Sequence, residues 1–226
     1  MSVMQKRLTA SPRAAGRGRK ADGTRDPERT SAAILAAAVK EFTDKGFGGA
    51  RIDAIAARAR ANKRMIYHYF GSKERLYLAV LESAYVDIRT AEAQLRLTDL
   101  EPMAAIETLA EFTWDYFLEH PEFLSLLNTE NLHRAKFLKG SRRVLNLHSP
   151  LVSALSDILK RGAARGVFRK DADPVHVYIS IASLGFFYLS NRWTLSTIFG
   201  RNLAAPAELR HRGEHIKAVM RGYLRP

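Results

Sequence analysis

Apolar positions recur with helical spacing along most of the chain and nowhere alternate in the two-residue rhythm of a strand. The first clear stretch opens at Asp26-Pro27, where Asp can cap a helix and Pro suits its first position. Ile34, Leu35, Ala38, Val39 and Phe42 then share a face, and Gly46 stops the helix, with Gly48-Gly49 in the turn beyond. A short helix is predicted over Arg51 to Ala59, with Ile52, Ile55, Ala56 and Ala59 on one side. Asn62, a good N-cap type, opens a third helix that closes near Phe70-Gly71. Ser72-Lys73-Glu74 starts a longer run to about Leu97.

The remainder is also read as helical, mostly from prolines at first helical positions. Glu101-Pro102 starts a helix reaching His120, and Pro121 starts another that fades near Leu132. Residues 134–147 are basic and carry no clear periodicity. Ser149-Pro150 starts a helix to about Arg165, closed by Gly166. Asp173-Pro174 starts an apolar helix ending near Asn191, and Trp193 to Gly200 reads as a helical turn or loop. Pro206 starts the last helix, toward Leu224. The fold class is therefore all-α: three short helices and a long one, then a larger helical body.

Charge adds a division of labour. The 226 residues carry a formal net charge of +13. Residues 1–71 hold 15 Lys and Arg against 6 Asp and Glu, whereas residues 72–226 hold 21 against 17. A basic module attached to a more neutral body points to an anionic partner. Residues 1–25, rich in Arg, Lys, Gly, Ala and Ser, read as a disordered basic arm. Such an arm either reaches a minor groove and adds nonspecific affinity, or makes no defined contact. The chain has no Cys, which excludes disulfides, thiolate zinc sites and Cys nucleophiles. The longest apolar stretch, Val175 to Leu189, falls short of the roughly 18–20 residues that a membrane span needs. No apolar run follows the basic N-terminus, so no secretory signal is read and a cytoplasmic protein without a membrane partner is expected.

The informative stretch is Ala50 to Leu76. Its second helix has a polar and aromatic face of Asn62, Lys63, Arg64, Tyr67, His68 and Tyr69, backed by Ala61, Ile66 and Phe70. A short helix needs two such faces to pack on a scaffold and enter a major groove. Arg and Lys suit guanine edges, Asn suits adenine, and Met65 can pack on a thymine methyl. Tyr hydroxyls and Lys73 suit phosphate oxygens, which fix register without reading sequence. For His68, packing and DNA contact are equally open.

These residues resemble the helix-turn-helix of the tetracycline-repressor (TetR) family. The matching positions are Phe42, Gly46 and Phe47, then Ile55-Ala56, then Lys63 and Ile66-Tyr67-His68-Tyr69-Phe70, then Ser72-Lys73-Glu74 and Leu76. The match spans about Arg29 to Leu81. The resemblance implies that Asn62–Phe70 is the recognition helix, with Lys63, Arg64 and Met65 near bases and Tyr67, Tyr69 and Lys73 at phosphates. It implies a DNA-binding domain over 26–72 and an effector-binding and dimerisation domain over 73–226. Two positions depart from the family pattern. Arg60 stands where the turn usually has Gly, so a non-Gly residue is expected at positive φ. Ala50-Arg51 replaces the usual Thr, which removes a hydroxyl cap and puts Arg51 near the backbone or a base.

The resemblance further implies a homodimer that binds a palindromic operator and a small-molecule effector. The last two long helices would pair across a twofold axis, with Val177, Ile181, Leu184, Phe187 and Tyr188 supplying apolar surface. Most aromatic residues in the middle of the chain read as core. Trp114, Phe117, Asn128 and Tyr178 are the candidates for a pocket lining, because ligand pockets are mostly apolar with a few placed polar groups. The motif and the C-terminal helices together look similar to a branch that includes regulators of pyrimidine and nitrogen-heterocycle catabolism, consistent with an aromatic or heteroaromatic effector.

A repressor released by ligand is the family expectation. An activator of the same fold, and an architectural DNA-binding protein without effector, are the alternatives. Nothing favours an enzyme: no Gly-rich phosphate loop, nucleophile elbow or paired metal ligands are present. His211 and His215 lie four apart, a spacing able to hold a metal, yet no third ligand accompanies them, and neither metal nor cofactor is expected.

Overall fold

The computed structural model describes residues 26–226, so the arm expected over 1–25 lies outside the described residues. Nine α-helices follow in order among them: α1 Pro27–Gly49, α2 Ile52–Arg58, α3 Lys63–Phe70, α4 Lys73–Ala93, α5 Pro102–Glu119, α6 Pro121–Leu132, α7 Arg142–Ala164, α8 Pro174–Phe199 and α9 Pro206–Leu224. Short 3-10 turns occupy Leu97–Asp99 and Leu138–Gly140.

Local chemistry sets the helix ends. The Asp26 carboxylate accepts from the N–H groups of Glu28 and Arg29, and Pro27 fills the first helical position. Gly46, at φ 64° and ψ 175°, breaks α1 where the sequence places its stop, and Phe47–Gly49 make one further helical turn. Asn62, Ser72, Ser141 and Asp173 each cap a helix through a side-chain oxygen.

Two apolar cores result. Ile34, Phe42, Ile55, Ile66 and Leu76 bind α1–α3 to the first half of α4, and Leu126 of α6 and Phe137 of the following loop enter the same core. The second core joins the end of α4 to α5, α7, α8 and α9 through Leu109, Phe117, Ile158, Ile181 and Met220. Each such side chain contributes roughly 1.5–3 kcal/mol through burial. Trp114 of α5 sits against glycines of two helices. A Cβ on Gly213 of α9 would come within 3.1 Å of its ring, and one on Gly185 of α8 within 3.5 Å. Phe168 lies over α7 so closely that a Cβ on Gly162 would stand 2.0 Å from its ring.

The loop between α6 and α7 is held by one carboxylate. Glu130 Oε1 accepts from the N–H groups of Phe137 and Leu138 at 2.9 and 3.0 Å. Phe137 then packs 4.5 Å from Phe47 and 4.9 Å from Tyr77, ring centre to ring centre. Arg134 and Ala135 both take φ 56°, a left-handed backbone that costs non-glycine residues about 1–2 kcal/mol each. The buried Phe137 and the Glu130 bonds offset that cost.

Four sequence expectations need correction. The helix expected from Ser149-Pro150 begins at Arg142, capped by Ser141, and Pro150 lies inside it. A proline removes only its own N–H bond, and a helix anchored by Val144, Leu151 and Leu155 continues through it. The long run from Ser72 ends as a helix at Ala93, because the chain turns at Arg96, φ 48°, to bury Leu97. The apolar helix expected to end near Asn191 continues to Phe199, stopped by Gly200 in the left-handed region. Val177 and Ile181, expected on the dimer surface, are buried in the protomer's own core. With Gly185 and Leu189 they form the inward face of α8.

Candidate DNA interface and ligand cavity

The geometry of α2 and α3 begins with Glu41, a buried carboxylate on α1. The Arg51 N–H donates to Glu41 Oε1 at 3.2 Å, and the Arg58 guanidinium stands 4.0 Å from Oε2. Glu41 thus satisfies an N–H at the start of α2 that the missing hydroxyl cap leaves open. At the other end, Ala61 N–H donates to Ala56 O and Arg60 N–H to Ala57 O, a Schellman closure. That closure needs a left-handed residue, and Arg60 supplies it at φ 51°. The turn therefore keeps its geometry without glycine.

Helix α3 is divided as its sequence implies. Ile66 is buried, while Met65, Tyr69 and Phe70 pack half-buried against the N-terminal core. Asn62, Lys63, Arg64, Tyr67 and His68 are exposed, and Arg51 is exposed beside them at the start of α2. The Asn62 carboxamide oxygen accepts from the Arg64 N–H at 2.9 Å, so it holds the helix start. Lys63 Nζ lies 2.8 Å from Asp53 Oδ1 on α2. That contact draws the Asp53 carboxyl below its ordinary range and raises the lysine. His68 sits edge-on to Tyr69 at 5.2 Å. Lys73, at the start of α4, holds its ammonium 4.9 Å above the Phe47 ring. The arrangement brings one convex face of cations, a tyrosine and a histidine to the surface of a rigid three-helix unit. A major groove accepts a helix with this composition.

The four candidate lining residues are not brought together. Trp114 and Phe117 are buried in the second core, and Asn128 is exposed, donating to Ser190 Oγ at 3.4 Å. Tyr178 is half-buried and accepts from Arg89 Nη2 through its hydroxyl oxygen at 2.7 Å. The largest cavity described, about 480 Å³, opens between α4, α7 and the 3-10 turn after α4, and none of the four lines it. Its polar wall is Arg89 and Glu92, which sequence reasoning passed over. Both are buried, with Nη1 and Oε2 2.7 Å apart. Burial pushes the Glu92 carboxyl up to about 7 despite the arginine. Tyr85 and His148 stack edge-on at 5.3 Å nearby, and burial raises the tyrosine to about 12 and lowers the histidine. A signal was present in the sequence: Leu81, Ile88, Arg89 and Glu92 continue the buried stripe of α4, so two charges occupy core positions.

Comparison with known proteins agrees with this geometry. Residues 34–80 match the bacterial regulatory proteins of the tetR family, and residues 102–219 match the tetracyclin repressor-like C-terminal domain. The HTH-type transcriptional repressor NicS of Pseudomonas putida is 46% identical over 188 residues, 83% of this chain and 86% of that protein. The HTH-type transcriptional regulator RutR of Escherichia coli is 36% identical over 106 residues, 47% of this chain and 50% of that protein. A solved transcriptional regulator from Streptomyces coelicolor superposes with a TM-score of 0.65 at 25% identity, over 87% of this chain and 99% of that one. The chain belongs to the tetR family of bacterial regulatory proteins. It is a DNA-binding transcriptional regulator and not an enzyme. Among the described residues no helix is long and apolar enough to cross a membrane.

Proposed function

We propose that the protein is a cytoplasmic repressor that binds a palindromic operator as a homodimer and releases it when a small effector occupies the helical domain. The exposed face of α3 carries this reading. Arg64 and Lys63 stand where a groove-entering helix reads base edges, and Met65 reaches a thymine methyl from its half-buried position. Tyr67, Tyr69, Lys73 and Arg51 meet phosphates, with Asn62 and His68 at the rim of the same face. Residues 26–72 act as the DNA-binding unit and 73–226 as the effector and dimerisation unit. The name of the Pseudomonas putida relative supports repression over activation. The cavity beside Arg89 favours an effector over a purely architectural role, because its volume lies in the range of small-molecule sites. Its leucine walls suit an aromatic or heteroaromatic ring.

Anisotropy with labelled DNA from upstream of the protein's own gene, in competitor DNA at roughly 0.15 M salt, tests the proposal. Saturable binding of two protomers per palindrome is expected, and Arg64→Ala should relax base preference with a loss of about 1–3 kcal/mol. Binding that competitor abolishes at every fragment, and that Arg64→Ala leaves unchanged, would overturn it.

A further inference from the structure

We propose that the cavity between α4 and α7 takes a small planar ligand with a hydrogen-bond acceptor beside a donor on one edge, a cis-amide or carboxyl edge, seated on Arg89 and Glu92. The proposal rests on reading the helical domain as the effector site and names the chemistry of that site.

Three observations carry it. The Arg89 and Glu92 side chains are only 5% and 3% exposed, and both line the cavity. Their charged ends approach to 2.7 Å but are misaligned as a hydrogen bond, so Arg89 Nε and Nη1 and both Glu92 oxygens lack hydrogen-bond partners. Burying such groups without partners is costly, and a ligand that supplies them recovers the loss. Arg89 is an obligate donor, and ionised Glu92 is an obligate acceptor. An edge with C=O beside N–H or O–H satisfies both at once. The third observation lies across the cavity. Pro150 has no N–H, so the Asn146 carbonyl lacks its usual intrahelical donor, and both residues line the cavity on α7. Leu97, Leu147 and Leu151 give apolar surface for the faces of a ring.

The two edge chemistries differ by one proton. A neutral cis-amide binds the ionised pair as it stands. A carboxylate brings a second anion to one arginine and requires Glu92 to take up a proton. The neighbouring groups leave Glu92 as the acceptor of that proton. Arg89 stays charged, burial holds Tyr116 of α5 near 12 and raises Tyr178 of α8, and burial keeps His148 of α7 neutral.

Isothermal titration of the full-length protein at neutral pH, in two buffers of different ionisation enthalpy, tests the proposal. The probes are 2-pyridone, N-methyl-2-pyridone, benzoate and toluene. Binding of 2-pyridone without proton uptake is expected, with N-methyl-2-pyridone about tenfold weaker because it leaves Glu92 unpaired. Benzoate should bind with uptake of about one proton. Glu92→Gln should retain benzoate and abolish its proton uptake, and Arg89→Gln, with its fold checked by circular dichroism, should lose both ligands. If Arg89→Gln does not fold, the methylation contrast and the proton count on the unmodified protein decide. Equal binding of the two pyridones together with benzoate binding free of proton uptake overturns the proposal. Binding of toluene alone also overturns it while leaving an effector cavity standing. Failure of all four probes removes the cavity reading as well.

Discussion

Arg60 holds a left-handed backbone at φ 51° in the turn between α2 and α3, where the Schellman bonds fix the angle. Replacing it with glycine should raise unfolding free energy by about 1 kcal/mol in urea titration. The same variant should lower the salt slope of DNA binding by about 0.9 if the guanidinium meets a phosphate. An unchanged slope with raised stability would assign Arg60 to the turn alone. Glu92 gives a second residue-scale outcome. Its folded carboxyl titrates near 7 against an ordinary 4.5, so between those values the folded state binds more protons than the unfolded one. Stability therefore falls as pH rises from about 4.5 to 7, by on the order of 3 kcal/mol at most. Glu92→Gln should flatten that loss in thermal melts across the window, leaving the opposite effect of His148, whose lowered value costs stability as pH falls below 6.5. A melting profile for Glu92→Gln that keeps the parent slope would show the carboxyl to be ordinary in the folded protein.

At the scale of elements, the sequence was readable wherever a cap and a periodic face coincided. Asp26-Pro27, Asn62, Ser72 and Asp173 mark starts that the structure keeps. It was misread where a local signal lost to packing. Pro150 reads as a start, but the stripe of Val144, Leu151, Leu155 and Ile158 already binds α7 to its neighbours on both sides of it. The α6–α7 loop was unreadable because its order comes from tertiary bonds to Glu130 and the Phe47–Tyr77 pocket, neither of which leaves a periodic trace. The polar face of α3 was visible, whereas the Glu41 bond that sets α2 beneath it links residues ten apart and was not. Phe137 belongs to an element of the helical body yet sits in the N-terminal core, so it ties α6 to the DNA-binding helices. Phe137→Ala should cost about 3 kcal/mol in stability. It should also reduce the factor by which effector weakens DNA affinity, with effector affinity for the free protein little changed. A variant that loses stability but retains the full effector response would place the coupling elsewhere, in the direct contacts of α1 with α4.

At the scale of the molecule, function requires two recognition helices about 34–36 Å apart, one turn of duplex. A single protomer has only one, and α8 shows what remains unsatisfied. Its inward face of Val177, Ile181, Gly185 and Leu189 is spent on the protomer core. Its outward face leaves Ile179, Phe187 and Ile198 more than half exposed, with Trp193 and Phe199 beside them. Apolar residues exposed along one helix at this density mark an interaction surface in a protein of this size. The outward face of α9, through Ala207, His211, Ala218 and Gly222, is small enough to let a twin helix approach closely. The proposed dimer therefore uses a different set of α8 residues from the one the sequence pattern singled out. Paired substitution Ile179→Glu and Phe187→Glu should give a folded monomer in sedimentation equilibrium, because neither side chain supports the core. That monomer should bind a half-site with unchanged base preference and lose the added affinity of the palindrome. Effector and operator then act on one equilibrium: a ligand that binds better when the two α3 helices are wrongly spaced weakens DNA binding, and DNA weakens that ligand by the same factor. In the monomer the spacing no longer exists, so ligand and half-site should bind independently. Persistent antagonism between them in a proven monomer would mean that the effector acts within one protomer and that spacing is not the coordinate it moves.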